Sequence, residues 1–168
     1  MTKITNEKGC LVEELHKSVG KEVDEKSAIS GSMHIDHIRG GHVISTIETP
    51  NYIVDAGLAE VAELISTSGS GSVFSAIAIG TNSGATAAIQ TALLGESHRE
   101  VFADAVSDNT ATFTSTYSFG GDFTIQEAGI LNHTTTGGDM LSRRVFSAVN
   151  VADGDSLVIT WSITVNRS

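Results

Sequence analysis

The last segment of the chain constrains the fold more than any other. In Asp155-Ser-Leu-Val-Ile-Thr-Trp-Ser-Ile-Thr-Val165, five consecutive odd positions (Leu157, Ile159, Trp161, Ile163, Val165) are large and apolar. The even positions between them are Val158, Thr160, Ser162 and Thr164. A period of two puts the two sets on opposite faces of a β-strand, so one face needs a second layer to cover it. A helix would scatter the same residues around its axis.

The same pattern recurs upstream. In Thr110–Phe119, Phe113, Tyr117 and Phe119 fall on odd positions and Thr on even ones, with Ser115 as the small inner residue. Phe123 and Ile125 alternate toward Ala128-Gly-Ile-Leu131, and Met140–Val149 reads as a strand carrying Arg143 and Arg144. Turn signals separate these runs: Asp108-Asn109, Gly120-Gly121, the polar stretch 132–139, and Asp153-Gly154. Val73–Gly80 is a strand with Ile77 and Ile79 on one face and Ala76 and Ala78 on the other. The small face implies close packing by a helix or a second sheet. Thr81–Ala85 is a turn, Ala87–Leu94 a helical turn or a loop, and Glu100–Ala105 a short strand. Met33–Thr49 predicts two strands around Gly40-Gly41.

Pro50 is the only proline, and Asn51 after it is a capping-type residue. Val54, Leu58, Val61, Leu64 and Ile65 then recur near helical period, which predicts one helix near 52–66 with Asp55 in its first turn. Thr67–Ser72 ends it in a Ser/Gly loop. The expectation is eight strands and a helix: an all-β chain, with an antiparallel β-sandwich or jelly-roll-like domain over 31–168.

Residues 1–30 differ in kind. They are dense in Lys and Glu, and their apolar residues Leu11, Leu15 and Val19 form one stripe between Gly9 and Gly20. The expectation is an extended, charged N-terminal arm, mobile or ordered on a partner, with Ser27–Ser32 as a linker.

With 168 residues and 40% hydrophobic content, the chain can build one real core. The low aromatic fraction, 5%, favours a thin sandwich over a large α/β enzyme core. A formal charge of −10 argues against binding nucleic acid or an anionic membrane by bulk electrostatics. It suits docking on a basic partner. Cys10 is the only cysteine, so no intrachain disulfide forms. The start lacks the apolar stretch of a signal peptide, and no run reaches bilayer-spanning length. The expectation is a chain made in a cytoplasm and soluble until it assembles.

Candidate chemistry is sparse. His34, His37 and His42 lie close together with Asp36, and a Gly-Gly turn can bring His42 back across from His34 or His37. On a strand His34 and Asp36 share a face while His37 points away. The spacing matches no metal motif and a fourth ligand is missing, so surface or interface histidines are expected. Gly80-Thr-Asn-Ser-Gly-Ala85 lacks the Lys-Ser/Thr pair of a phosphate loop and reads as a tight turn. Glu127 reads as a hydrogen-bonding residue at a strand bend, since Asp122 and Asp139 flank turns and give it no catalytic partner. Arg143 and Arg144 point opposite ways, one exposed and one at a rim or interface, with Glu127 or Asp122 as cross-strand partners. No catalytic, cofactor-binding or metal residue is assigned. The interaction candidates are Leu11, Leu15, Val19, Arg143 and Arg144.

The succession Asn51–Leu58, Ile77–Thr81, Thr91–Leu94, Ala111–Thr114, Gln126–Asn132, Met140–Phe146 and Asp155–Trp161 resembles a family of tailed-bacteriophage virion proteins over about residues 43–165. That resemblance implies a β-rich, often trimeric structural protein. It would be a capsid decoration (cement) protein bound to the major capsid protein, or a tail-fibre or baseplate component. It implies no catalytic residue and places the protein in the virion. A carbohydrate-binding or hydrolytic sandwich is the remaining reading. It needs exposed aromatics or a carboxylate pair, and the chain has one Trp and two Tyr.

Overall fold

The computed structural model describes residues 29–166. The chain runs β1 (Ile29–Arg39), β2 (His42–Pro50), α1 (Asp55–Ile65), β3 (Ala76–Gly80), β4 (Glu96–Val101), β5 (Ala103–Ser107), β6 (Thr110–Ser118), β7 (Phe123–Leu131), β8 (Met140–Val151) and β9 (Ser156–Val165). Two antiparallel sheets result, a five-stranded one in the order β2-β1-β9-β6-β5 and a four-stranded one in the order β4-β3-β7-β8. This is the expected all-β, sandwich-like architecture with one short helix.

The alternating last segment holds the centre of the larger sheet. β9 lies between β1 and β6, pairing Trp161 with Met33 on one side and Phe113 on the other. Leu157, Ile159, Trp161 and Ile163 are buried, whereas Val165 at the strand end is exposed. They meet Ile77, Ile79, Ile125, Ile130 and Phe146 of the smaller sheet in the main core. Ser115 is buried in the inner row of β6, as its position implied.

The four-stranded sheet is covered on its other side too. Ala78 joins Val54, Leu93, Leu131 and Met140 in a second apolar cluster, with Ala56 packed on it. Close packing over the small face of β3 therefore comes from the start of the helix and from the loop before β4.

Three local expectations change. β1 starts at Ile29, so Ile29–Ser32 is not a linker but pairs with β9 from Val165 inward. The single strand expected at Glu100–Ala105 is two strands. β4 pairs with β3 in one sheet and β5 with β6 in the other. Phe102 sits between them, buried, with its ring centroid 4.6 Å from that of Phe113. A strand that changes sheets turns its side chains through the corner, which breaks the alternation a sequence pattern relies on. This corner raises the count from eight strands to nine.

The helix start also differs. Asn51 is not its cap: its N–H donates to the Gly31 carbonyl at 3.1 Å, extending the β1–β2 pairing. Tyr52–Val54 then runs extended along β8. The N–H of Arg143 donates to the Tyr52 carbonyl at 3.0 Å, and the N–H of Val54 to the Leu141 carbonyl at 3.1 Å. Val54 occupies the N-cap without a side-chain bond, and Asp55 stands in the first turn. α1 lies on β8 through Gly57, where an added Cβ would stand 2.4 Å from the Leu141 carbonyl oxygen. Only Gly57 and Glu60 of α1 are fully buried, while Leu58, Leu64 and Ile65 are 47%, 40% and 81% exposed. The apolar period forms the helix, but most of that apolar face looks outward.

Candidate functional site

Among the described residues, four groups of ionisable side chains form ion pairs. The deepest is Glu127 with Arg143, both fully buried. β7 and β8 lose register between Ile125 and Glu127, and this bulge brings the carboxylate to the arginine. The Arg143 Nε donates to Glu127 Oε2 at 2.8 Å, and the Nη2 lies 2.7 Å from the same oxygen. The Nη1 donates to Gln90 Oε1 at 3.0 Å and to the Ala85 carbonyl at 3.3 Å, and the Nη2 to the Gly84 carbonyl at 3.0 Å. Glu127 also accepts from the N–H groups of Gly95 at 2.6 Å and Leu94 at 3.1 Å. The pair pins both ends of the 81–95 loop to the outer side of the smaller sheet. Both oxygens of Glu127 are engaged and none is presented to solvent.

Arg143 is therefore not a rim or interface residue. It is enclosed by its own chain, and cross-strand pairing with Glu127 is the arrangement the structure adopts. Glu127 is the hydrogen-bonding residue at a strand irregularity that the sequence implied. Arg144, next along β8, is half-buried and lies opposite Ala128. Its Nε is shielded from solvent without a hydrogen-bond partner.

The second group closes one end of the larger sheet. Buried Asp155 lies 2.8 Å from His37 Nε2. It accepts from Arg39 Nε and Nη2, each at 2.7 Å, and from the N–H of Ala152 at 2.9 Å. The Arg39 guanidinium, helped by the Ala152 amide and His37 against the cost of burial, holds this carboxyl well below the usual carboxylate range. The cluster fastens β1 to the β8–β9 turn.

The third group lies on the outer face of the β1–β2 hairpin. His34 Nε2 is 3.1 Å from Asp36 and its Nδ1 3.2 Å from Glu48, while Thr46 donates to Asp36 at 2.7 Å. The Asp36 hydrogen bond, outweighing desolvation, raises the His34 pKa. The Thr46 hydroxyl is the largest cause lowering that of Asp36. His34 and Asp36 thus meet as their spacing implied, and His37 points inward. His42 pairs with Arg39 at the hairpin end, so the Gly40-Gly41 turn does not gather the three histidines. Among the described residues no group of three His, Cys, Asp or Glu side chains is placed to hold a metal ion.

The fourth group is Arg99, whose guanidinium meets Glu96 at 2.7 Å and donates to the His133 and Gly137 carbonyls at 2.7 and 2.9 Å. It borders a surface depression of about 540 Å³ lined by Glu96–Arg99 and Thr134–Gly137. The only ionisable pair of opposite charge there is already joined.

What the molecule leaves open is surface. β5 is exposed along its whole length, and β2 along its first five residues, where Val43 and Ile44 are 55% and 49% exposed. Among the described residues both are edge strands of the larger sheet. The α1 stripe of Leu58, Ala62 and Ile65 faces solvent, near exposed Val73. The charge is uneven as well: all five lysines precede Ile29, and residues 29–168 hold fourteen acidic side chains against five arginines. Leu11, Leu15 and Val19 lie outside the described residues. Among the described residues no helix is long and apolar enough to cross a membrane. The α1 stripe is the surface that sequence reasoning missed, because periodicity reports an apolar face without saying what covers it.

No protein-family model, curated protein or solved structure matches the chain.

Proposed function

We propose that this is a virion structural protein, a capsid decoration (cement) protein that binds between major capsid subunits and stabilises a phage head. The observation that carries the reading is where the chain spends its ionisable groups. Glu127, Arg143, Asp155, His37 and Arg99 fasten strands and loops, while among the described residues a helix face and the β2 and β5 edges of the larger sheet lie exposed. A rigid body with open association surfaces suits a protein that assembles. The acidic sandwich complements a basic shell surface, and self-association as a trimer would multiply weak contacts into avid attachment. The resemblance over about residues 43–165 supports the same reading, with tail or fibre membership as its alternative.

The test is the copy number of this protein relative to the major capsid protein in purified virions, measured by quantitative mass spectrometry. A stoichiometry close to that of the shell subunit supports decoration. A few copies per particle moves the protein to the tail, and its absence from virions overturns the proposal.

A further inference from the structure

We infer that the exposed stripe of α1 is the docking surface for the chain's own N-terminal segment, through Leu11, Leu15 and Val19. The stripe is Leu58, Ala62 and Ile65, spaced i, i+4, i+7 along one side of the helix. Its ends, Leu58 and Ile65, are 47% and 81% exposed. Leu11, Leu15 and Val19 are spaced i, i+4, i+8, a segment of matching length.

Geometry places the segment within reach. The chain enters β1 at Ile29, two residues from Gly31, whose carbonyl accepts the N–H of Asn51. Asn51 leads through three residues into α1 at Asp55. An eleven-residue helix is about 16 Å long. The residues between Val19 and Ile29 span about 30 Å when extended, enough to set the segment along the whole stripe. A tether that short gives an effective concentration in the millimolar range, so weak apolar contacts suffice.

Individual lysines can add local contacts to the apolar match. α1 carries Asp55 and Glu63 on its exposed side and no basic residue in its last turn. The chain's five lysines all lie in the N-terminal segment, among six acidic residues, with Lys8 and Lys21 on either side of the three apolar residues and Lys17 between Leu15 and Val19. They would supply cations beside the helix carboxylates and near its carbonyl end.

The single cysteine, Cys10, adjoins Leu11 and makes the test direct. A nitroxide is attached to Cys10 of the full chain, and paramagnetic broadening of backbone amides is measured by NMR. The expected result is selective signal loss at Leu58, Ala62, Ile65 and Val73. That loss disappears in L11S/L15S/V19S and in L58S/I65S, whose changed residues lie outside the described core. Mixing isotope-labelled, nitroxide-free chains with unlabelled, nitroxide-bearing ones separates the sources. Loss only within one chain means the segment folds back and supports the inference, and loss that appears in the mixture means it reaches a neighbour and overturns it. Broadening spread evenly over the sandwich, or centred on the β2 or β5 edge, overturns it. So does an untouched α1 whose L58S/I65S variant loses self-association, since the stripe would then pair with a second helix. The measurement needs no virion, so its failure is distinct from failure of the decoration reading.

Discussion

Arg143→Met isolates what the buried ion pair contributes. Methionine keeps much of the side-chain volume and removes the guanidinium. The change deletes the ion pair with Glu127 and the bonds to Gly84, Ala85 and Gln90. It leaves the Glu127 carboxylate buried with only the Leu94 and Gly95 amides for company. Both side chains are fully buried, so solvent cannot compensate. Breaking one side of a buried pair costs about 3–5 kcal/mol, against about 0–1 kcal/mol for an exposed pair. The former is a large share of a domain's stability of about 5–15 kcal/mol. Urea unfolding at neutral pH gives the difference directly. Hydrogen exchange should show the loss first in the 81–95 loop, the segment that Glu127 and Arg143 hold. E127Q/R143M removes the stranded charge while keeping an acceptor for the loop amides, and should recover about 1–3 kcal/mol relative to the single variant. A cost below about 1 kcal/mol for Arg143→Met, or unchanged exchange at residues 81–95, would refute the reasoning.

Gly57→Ala sets two effects against each other. Helix propensity favours alanine by about 1 kcal/mol, but its Cβ would sit 2.4 Å from the Leu141 carbonyl oxygen, so the urea midpoint should fall, with a net loss of about 1–3 kcal/mol. Phe102→Ala empties the corner where the chain changes sheets and should cost about 3–5 kcal/mol by the same assay. Asp155→Asn tests the acid dependence. The Asp155 carboxyl titrates lower folded than unfolded, so its contribution is complete above the unfolded pKa of about 3.9 and is lost as pH falls through the folded value. The stability gap between wild type and D155N should narrow as pH drops below about 4, and a constant gap between pH 7 and 2 would contradict the cluster's role.

The fold was legible where one face of a strand is apolar without interruption. Leu157, Ile159, Trp161 and Ile163 announce their burial, and so do Tyr117 and Phe119. Hairpin turns were legible at Gly40-Gly41 and Asp153-Gly154, where Gly40, Gly41 and Gly154 adopt positive φ. The corner at Phe102 was not, because a strand that leaves one sheet for another changes which neighbours its side chains face halfway along. The true partner of α1 was hidden for a related reason. Gly57 approaches the Leu141 backbone through the absence of a side chain, and a missing side chain makes no mark in a hydrophobic period.

The polar clusters pose a different problem, because they are contacts across distance in the chain. Arg39 and His37 stand more than a hundred positions from Asp155, and no local spacing joins them. Glu127 and Arg143 did leave a signal. Each is charged within a strand rich in apolar residues, Glu127 before Ala128-Gly-Ile-Leu131 and Arg143, beside Arg144, between Met140-Leu141 and Val145-Phe146. Two opposite charges on consecutive strands joined by one loop face a simple energetic choice. Left apart, each would be buried unpaired at a cost of several kcal/mol, so pairing is the arrangement compatible with the apolar flanks.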